Sequence, residues 1–330
     1  MQPILVTRSI YPDVIRYLRE FFEVEVNEGG KYTPSQLKAA LSGKSGVLIA
    51  AGDRVDAQLI EGLTQLKAVC VTSAGYNNLD LPALTRAGIL AANAGGPIDE
   101  TTADFAWGLL LAASRHLGAA ERWLREGSWK GSVGTRFFGT DVYGKSLGIL
   151  GMGRIGRAIA RRGSGFRMIV RYHNRRRLEP AIETSYQAGY VSLEALLRNS
   201  DYLVLSLPFT PDNRHLIGAR ELALMRPTAM LINIARGGLV DEQALYEALR
   251  DGRLAGAGLD VFEREPEVYP GLLTLQNVVL TPHIAGATDL AQHFLAREAA
   301  DNLVAALGEG PMAGHPHSAL NPEVLEALKK

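Results

Sequence analysis

The chain has 330 residues, a length that suggests two domains at roughly 150 residues each. Its 35 basic and 35 acidic residues cancel, which argues against a nucleic-acid or polyanion binder, since such proteins carry a basic excess. Hydrophobic residues at 47% and charged residues at 21% exclude disorder as a description of the whole chain. A single cysteine, Cys70, cannot form an intrachain disulfide, and that fits a reducing, cytoplasmic setting. Residues 1–7 lack a basic stretch leading into an apolar one, so no signal peptide is expected. The longest apolar stretch, residues 105–114, is too short to span a bilayer.

Short β-branched runs recur along the chain, with amphipathic segments between them. A first series of expected strands covers residues 4–7, 24–27, 47–50, 68–72 and 89–94. A second covers 146–150, 168–173, 202–207, 229–234, 254–261 and 278–282, with helical stretches such as 154–162, 193–199 and 243–250 between them. Strands alternating with helices imply βαβ units and parallel sheets. The strands read as continuous apolar runs, as they do when helices cover both faces. A long apolar helix, residues 101–117, links the two series, and an amphipathic helix over 289–307 follows the last strand. The Gly-, Pro- and His-rich tail, residues 308–318, reads as loop.

Gly151-Met152-Gly153-Arg154-Ile155-Gly156 follows an expected strand and opens an expected helix. GxGxxG alone is a weak pattern and often marks a plain glycine turn. Inside a strand–turn–helix–strand unit of about 30 residues it predicts a dinucleotide site. Gly151 would allow the tight turn, Gly153 the approach of a pyrophosphate, and Gly156 close helix–strand packing. An NAD site usually carries Asp or Glu about 20 residues on, where it bonds the ribose 2′-hydroxyl. Here the second strand ends His173-Asn174-Arg175-Arg176-Arg177, with no acid. A neutral Asn174 followed by arginines suits a 2′-phosphate, so NADPH is expected over NADH.

Further segments carry a resemblance. They are Ile232-Asn233-Ile234-Ala235-Arg236-Gly237, Gly258-Leu259-Asp260-Val261-Phe262-Glu263-Arg264-Glu265-Pro266 and Thr281-Pro282-His283-Ile284-Ala285-Gly286. With the glycine loop, the run Ser73–Asp80 and the run Glu100–Asp104, they resemble the D-isomer-specific 2-hydroxyacid dehydrogenase family over nearly the whole chain. Phe138-Gly139-Thr140-Asp141 and Asn174-Arg175-Arg176 look most like its glyoxylate/hydroxypyruvate reductase and 2-ketogluconate (2-ketoaldonate) reductase branch, which is similar in preferring NADPH.

The resemblance implies an α/β fold of two Rossmann-like, doubly wound parallel-sheet domains. The substrate domain would be discontinuous, residues 1–98 plus 286–330, and residues 99–285 would bind NADP. Such proteins are usually homodimers joined through the cofactor domain, which would account for Trp123, Trp129, Phe137 and Phe138. Arg236 would hold the substrate carboxylate and polarise its carbonyl, His283 would carry the proton, and Glu265 would orient His283. Histidine suits proton transfer because its ordinary pKa is about 6.5. Ser73, Ala74 and Gly75 would bind the carboxylate through backbone N–H groups. Asp260 would hold the nicotinamide carboxamide. Thr102, Arg154, Ile155, Leu207, Pro208, Ile234, Ala235 and Gly286 complete the expected cofactor contacts.

Each of these residues has a plain structural reading by itself; in the family's order they read together as a site. His315-Pro316-His317 offers only two ligands, so no metal is expected. Asn77, Asn213 and Gln292 stand where many relatives have Asp, Thr and Arg. The segment Asn93-Ala94-Gly95-Gly96-Pro97 is richer in glycine than usual. These departures bear on which small 2-keto acid is taken: glyoxylate, hydroxypyruvate or 2-ketogluconate. Formate or phosphite oxidation on the same scaffold is a weaker reading, because its donors are smaller and need an adapted site. A dinucleotide-sensing, corepressor-like binding protein is the alternative from a different class. No long extra segment for recruiting partners favours it, and no membrane or nucleic-acid partner is expected.

Overall fold

A computed structural model of the chain describes residues 1–96 and 98–328. Pro97, at the end of the glycine-rich segment, lies outside the described residues. The described chain divides into two compact units, Met1–Ile98 with Thr288–Lys330, and Asp99–Ala287.

In the first unit, β1 (Gln2–Val6), β2 (Phe22–Val26), β3 (Gly46–Ile49), β4 (Ala68–Val71) and β5 (Leu90–Ala92) form a parallel sheet in the order β2-β1-β3-β4-β5. On the two sides of β1, Ile4 faces Val24 and Leu5 faces Val47. Every residue of β3, β4 and β5 is buried, because helices cover both faces. One face packs on Val14 and Leu18 of the Pro12–Arg19 helix and on Leu295, Ala299 and Leu303 of the Asp289–Ala306 helix. The other packs on Leu37, Leu41, Leu59 and Leu84.

In the second unit, β6 (Ser146–Leu150), β7 (Ile169–His173), β8 (Ala188–Tyr190), β9 (Tyr202–Leu205), β10 (Met230–Asn233), β11 (Gly256–Leu259) and β12 (Val278–Leu280) form a parallel sheet ordered β12-β11-β10-β9-β6-β7-β8. The chain leaves β6 toward β7 on one side and returns to β9 on the other. The order therefore reverses between β6 and β9, the place where ligands bind in open α/β sheets. Helices Ile98–Ser114 and Arg154–Gly165 cover one face, with the Trp107 indole N–H donating to the Ile159 carbonyl at 3.1 Å. Helices Leu193–Asn199, Ala219–Leu224 and Glu242–Arg250 cover the other.

Three departures from the sequence-based expectation are informative. The strands expected over 202–207, 229–234 and 254–261 stop at Leu205, Asn233 and Leu259. After β10 the reason is local. The Asn233 side chain accepts the Ala235 N–H at 3.0 Å and donates to the Arg236 carbonyl at 3.0 Å, curling the chain out of the ladder. The helix expected over 101–117 runs instead over Ile98–Ser114. His116, with φ 52°, breaks it from a second helix, Leu117–Arg125. The tail does form turns, but Ala319 then pairs antiparallel with Ala92.

Candidate active site

Within the second unit, the sequence-predicted residues gather at the C-terminal ends of the strands. Gly151 follows β6, Asn174 follows β7, Leu207 and Pro208 follow β9, Ile234–Arg236 follow β10, Asp260 follows β11, and His283 and Gly286 follow β12.

Gly151 has φ +103°, a conformation that L side chains rarely adopt, and a Cβ there would lie 2.7 Å from the Leu207 nitrogen. Gly156 packs so tightly that its Cβ would lie 2.3 Å from the Gly151 carbonyl oxygen. A Cβ on Gly153 would meet nothing within 4 Å. The Arg154–Gly165 helix begins at Gly153 with no side-chain cap, the kind of helix start that suits an anion. The loop, the helix end and the sheet reversal fit a dinucleotide pyrophosphate. Arg154 pairs with Asp99 at 3.0 Å. Thr102 is buried in the Ile98–Ser114 helix.

At the end of β7 the structure divides the polar run into separate tasks. Asn174 accepts the Met152 N–H at 2.7 Å and so clamps the glycine loop. Arg177 is occupied by Glu183, through bonds of 2.9 and 2.8 Å. That arginine, with the Tyr172 hydroxyl, pulls the Glu183 carboxyl down to about 2. The basic cluster available to a ligand is therefore Arg175 and Arg176, both exposed. Arg177 does not belong to it.

His283 and Glu265 form a pair. His283 Nδ1 and Glu265 Oε2 are 2.7 Å apart, and Glu265 Oε1 accepts the Phe262 N–H at 3.0 Å. Burial raises the Glu265 carboxyl, but hydrogen bonds from His283 and Phe262 and the charges of His283 and Arg236 outweigh it. The net shift is downward. Glu263, two residues away, faces elsewhere, bonding Arg214 at 2.6 Å and His215 at 2.9 Å.

Arg236 is half-buried and donates from Nη1 to its neighbour's carbonyl, Ala235, at 2.6 Å. Burial lowers its guanidinium pKa, opposed by the Glu265 charge. It stays a cation at neutral pH. Behind it, Gly237 presses on the Phe262–Glu263 backbone, where a Cβ would come within 1.8 Å of the Phe262 carbonyl carbon.

Asp260 is fully buried, and its carboxyl oxygens accept the Thr281 hydroxyl at 2.7 Å and the Ile284 and Ala285 N–H groups at 2.9 and 2.8 Å. Its side chain thus holds the His283 loop. The loop and Asp260 were legible in the sequence; the part Asp260 plays in holding the loop, and the part Asn233 plays in curling the end of β10, were not.

In the first unit, Ser73, Ala74 and Gly75 follow β4 and are half-buried. The Ser73 hydroxyl donates to the Gly75 carbonyl at 2.7 Å. A cavity of about 540 Å³ opens at the ends of β1, β3 and β4, with Arg8, Tyr11, Thr72 and Gln292 in its wall. Among the described residues, no group of three or more His, Cys, Asp or Glu is arranged to hold a metal. No described helix is long and apolar enough to cross a membrane.

The profile of the D-isomer specific 2-hydroxyacid dehydrogenase family, NAD binding domain, matches residues 107–285. Glyoxylate reductase of Thermococcus gammatolerans is 42% identical over 335 residues, covering 100% of this chain and 99% of its own. Glyoxylate reductase of Pyrococcus horikoshii is 41% identical over 336 residues, with 100% and 99% covered. The solved NADPH-dependent glyoxylate/hydroxypyruvate reductase of Sinorhizobium meliloti, in complex with NADP and malonate, superposes with a TM-score of 0.85. It is 33% identical, over 97% of this chain and 98% of that one. Two parallel-sheet domains, a glycine loop at the sheet reversal and full-length similarity agree on one conclusion: the chain belongs to the D-isomer-specific 2-hydroxyacid dehydrogenase family.

Proposed function

We propose that the protein reduces a small 2-keto acid, glyoxylate, hydroxypyruvate or 2-ketogluconate, to the D-2-hydroxy acid, with NADPH as the preferred cofactor. The observation that carries this reading is the His283–Glu265 pair beside Arg236, all at the C-terminal edge of a sheet whose reversal point bears the glycine loop. The 99–287 unit serves as the cofactor domain, and the remainder as the substrate domain.

A bound nicotinamide supplies the hydride. Arg236 takes the substrate's carboxylate and draws electron density toward the carbonyl oxygen as negative charge develops there. His283 gives that oxygen a proton from Nε2, because Nδ1 is held by Glu265. Backbone N–H groups of the Ser73-Ala74-Gly75 loop bind the carboxylate. Helix N–H groups at Gly153, Arg154 and Ile155 hold the pyrophosphate. Thr102, Leu207, Pro208, Ile234, Ala235 and Gly286 line the rest of the cofactor. Arg175 and Arg176 take the 2′-phosphate.

Steady-state oxidation of NADPH and NADH with a panel of 2-keto acids tests the reading. Turnover with at least one acid is expected; none with any acid would refute it. Arg175→Ala combined with Arg176→Ala should raise the KM for NADPH about tenfold or more and leave that for NADH unchanged, since each charge-assisted bond contributes roughly 1.5–3 kcal/mol. Equal changes for both cofactors would remove the phosphate role from these arginines.

The protein works as a cytoplasmic homodimer joined through the cofactor domain. Trp129 and Phe138 are 60% and 74% exposed, and Leu117 and Leu124 on the preceding helix are exposed as well. Large apolar side chains left at a surface are what a protein contact would cover. Trp123 and Phe137 instead pack on each other, with Arg136 over both rings. Light scattering should give twice the chain mass, falling to the chain mass in a Trp129→Asp, Phe138→Asp variant. A monomeric wild type would overturn this assignment.

A further inference from the structure

The Ser73-Ala74-Gly75 loop owes its shape to side chains that no motif marks. In a planar trans peptide, the C=O and N–H of one unit point in opposite directions. The Ser73 carbonyl accepts the Ala94 N–H at 3.1 Å. The Ala74 carbonyl accepts the Asn93 side-chain amide at 2.7 Å, and the Gly75 carbonyl accepts the Ser73 hydroxyl at 2.7 Å. All three carbonyls are tied back, so the N–H groups of Ala74, Gly75 and Tyr76 face away from those ties. Among the described residues, none of the three N–H groups donates to a protein acceptor. Three adjacent N–H groups left open in a partly buried loop call for an anion.

Of the three ties, only the middle one comes from a side chain outside the loop. Asn93 is itself fixed. Its carbonyl accepts the Asn302 amide at 2.9 Å, and its N–H donates to the Ser318 carbonyl at 3.3 Å. Asn302 is fully buried in the Asp289–Ala306 helix, and its oxygen accepts the Ser318 N–H at 3.4 Å. A rigid helix thereby sets Asn93, and Asn93 sets one peptide plane of the loop.

We propose that Asn93, anchored by Asn302, is a positioning residue for the substrate carboxylate: its amide holds the Ala74–Gly75 peptide so that the Gly75 N–H is presented to the anion. The inference rests on the reductase reading above. Without the Asn93 amide the peptide is free to turn over, and a turned peptide presents the Ala74 carbonyl, an acceptor, where the donor stood. The loss falls on binding of the acid, while the cofactor and the proton transfer keep their own residues.

The test uses Asn93→Asp, which keeps the shape but replaces the donor with an oxygen, and Asn93→Ser, which is the milder variant for the fold. Both are measured beside wild type with glyoxylate and NADPH, and by calorimetric titration of oxalate into the NADP-loaded enzyme. The expected result in Asn93→Asp is a KM for glyoxylate raised about tenfold or more. Oxalate affinity should fall by a similar factor, with kcat within about threefold and an unchanged KM for NADPH. Asn93→Ser should lie between the two, because a short hydroxyl restores part of the donor. Wild-type KM and oxalate affinity in both folded variants would overturn the positioning role while leaving the reductase reading intact. So would a parallel loss of kcat and NADPH binding, which marks a general structural defect. If wild type neither turns over any 2-keto acid nor binds oxalate, both readings fall together.

Discussion

Replacing His283 with Gln is expected to lower kcat by about 10²–10⁴-fold, the usual contribution of a positioned proton donor, with the KM for NADPH changed by less than about threefold. Glutamine fills a similar volume and keeps a hydrogen-bond donor, but its amide does not release a proton near neutral pH. The large effect follows from how firmly the imidazole is prepared. Its Nδ1 lies 2.7 Å from Glu265, and its backbone, in the left-handed region at φ 54°, donates to the Asp260 carbonyl at 2.8 Å. The ring is therefore oriented before substrate arrives, and Nε2 is the nitrogen left to act. Steady-state kinetics beside a fluorescence titration of NADPH separate the two quantities. Equal losses in both would remove His283 from proton transfer.

The partner's ionisation sets the range over which the pair survives. Glu265 lies below its ordinary value in the fold, so its stabilising contribution is present above the unfolded-state pKa of about 4.3 and disappears as pH falls through the lower folded value. The carboxylate consequently stays ionised throughout the neutral and alkaline range.

What could be read from the sequence followed from local order. The apolar run 146–150 before Gly151 and the β-branched runs after it identify strands, and strands alternating with helices identify parallel sheets. β8 escaped notice because Ala-Gly-Tyr is three residues long and carries no apolar pattern. The break at His116 escaped because no proline or glycine marks it. Charge runs also mislead: Arg177 looks like its neighbours, but Glu183, six residues on, engages it. Asn93 and Asn302 are 209 residues apart, and no spacing rule joins them. Motifs show which residues meet the ligand more readily than which residues hold them in place.

Arg236 should prove the second most sensitive position, and the form of the loss distinguishes charge from geometry. Asn233 curls the end of β10, Gly237 presses on the Phe262–Glu263 backbone, and Nη1 is anchored on the Ala235 carbonyl. These contacts fix where the guanidinium fork points. A planar fork can hold a carboxylate with two parallel bonds, whereas an ammonium on a flexible stem makes a point contact. Arg236→Gln is expected to lower kcat/KM by about 10²–10³-fold, as loss of a donor to a developing oxyanion does. Arg236→Lys should lose nearly as much, because the charge remains and the fork does not. A lysine variant close to wild type would mean that charge alone suffices. Stability should move the other way. Burial opposes the arginine's charge, so Arg236→Gln removes a desolvated cation, and its Tm should equal or exceed that of wild type. A cation kept half-buried against its own solvation contributes more to binding an acid than to holding the fold together.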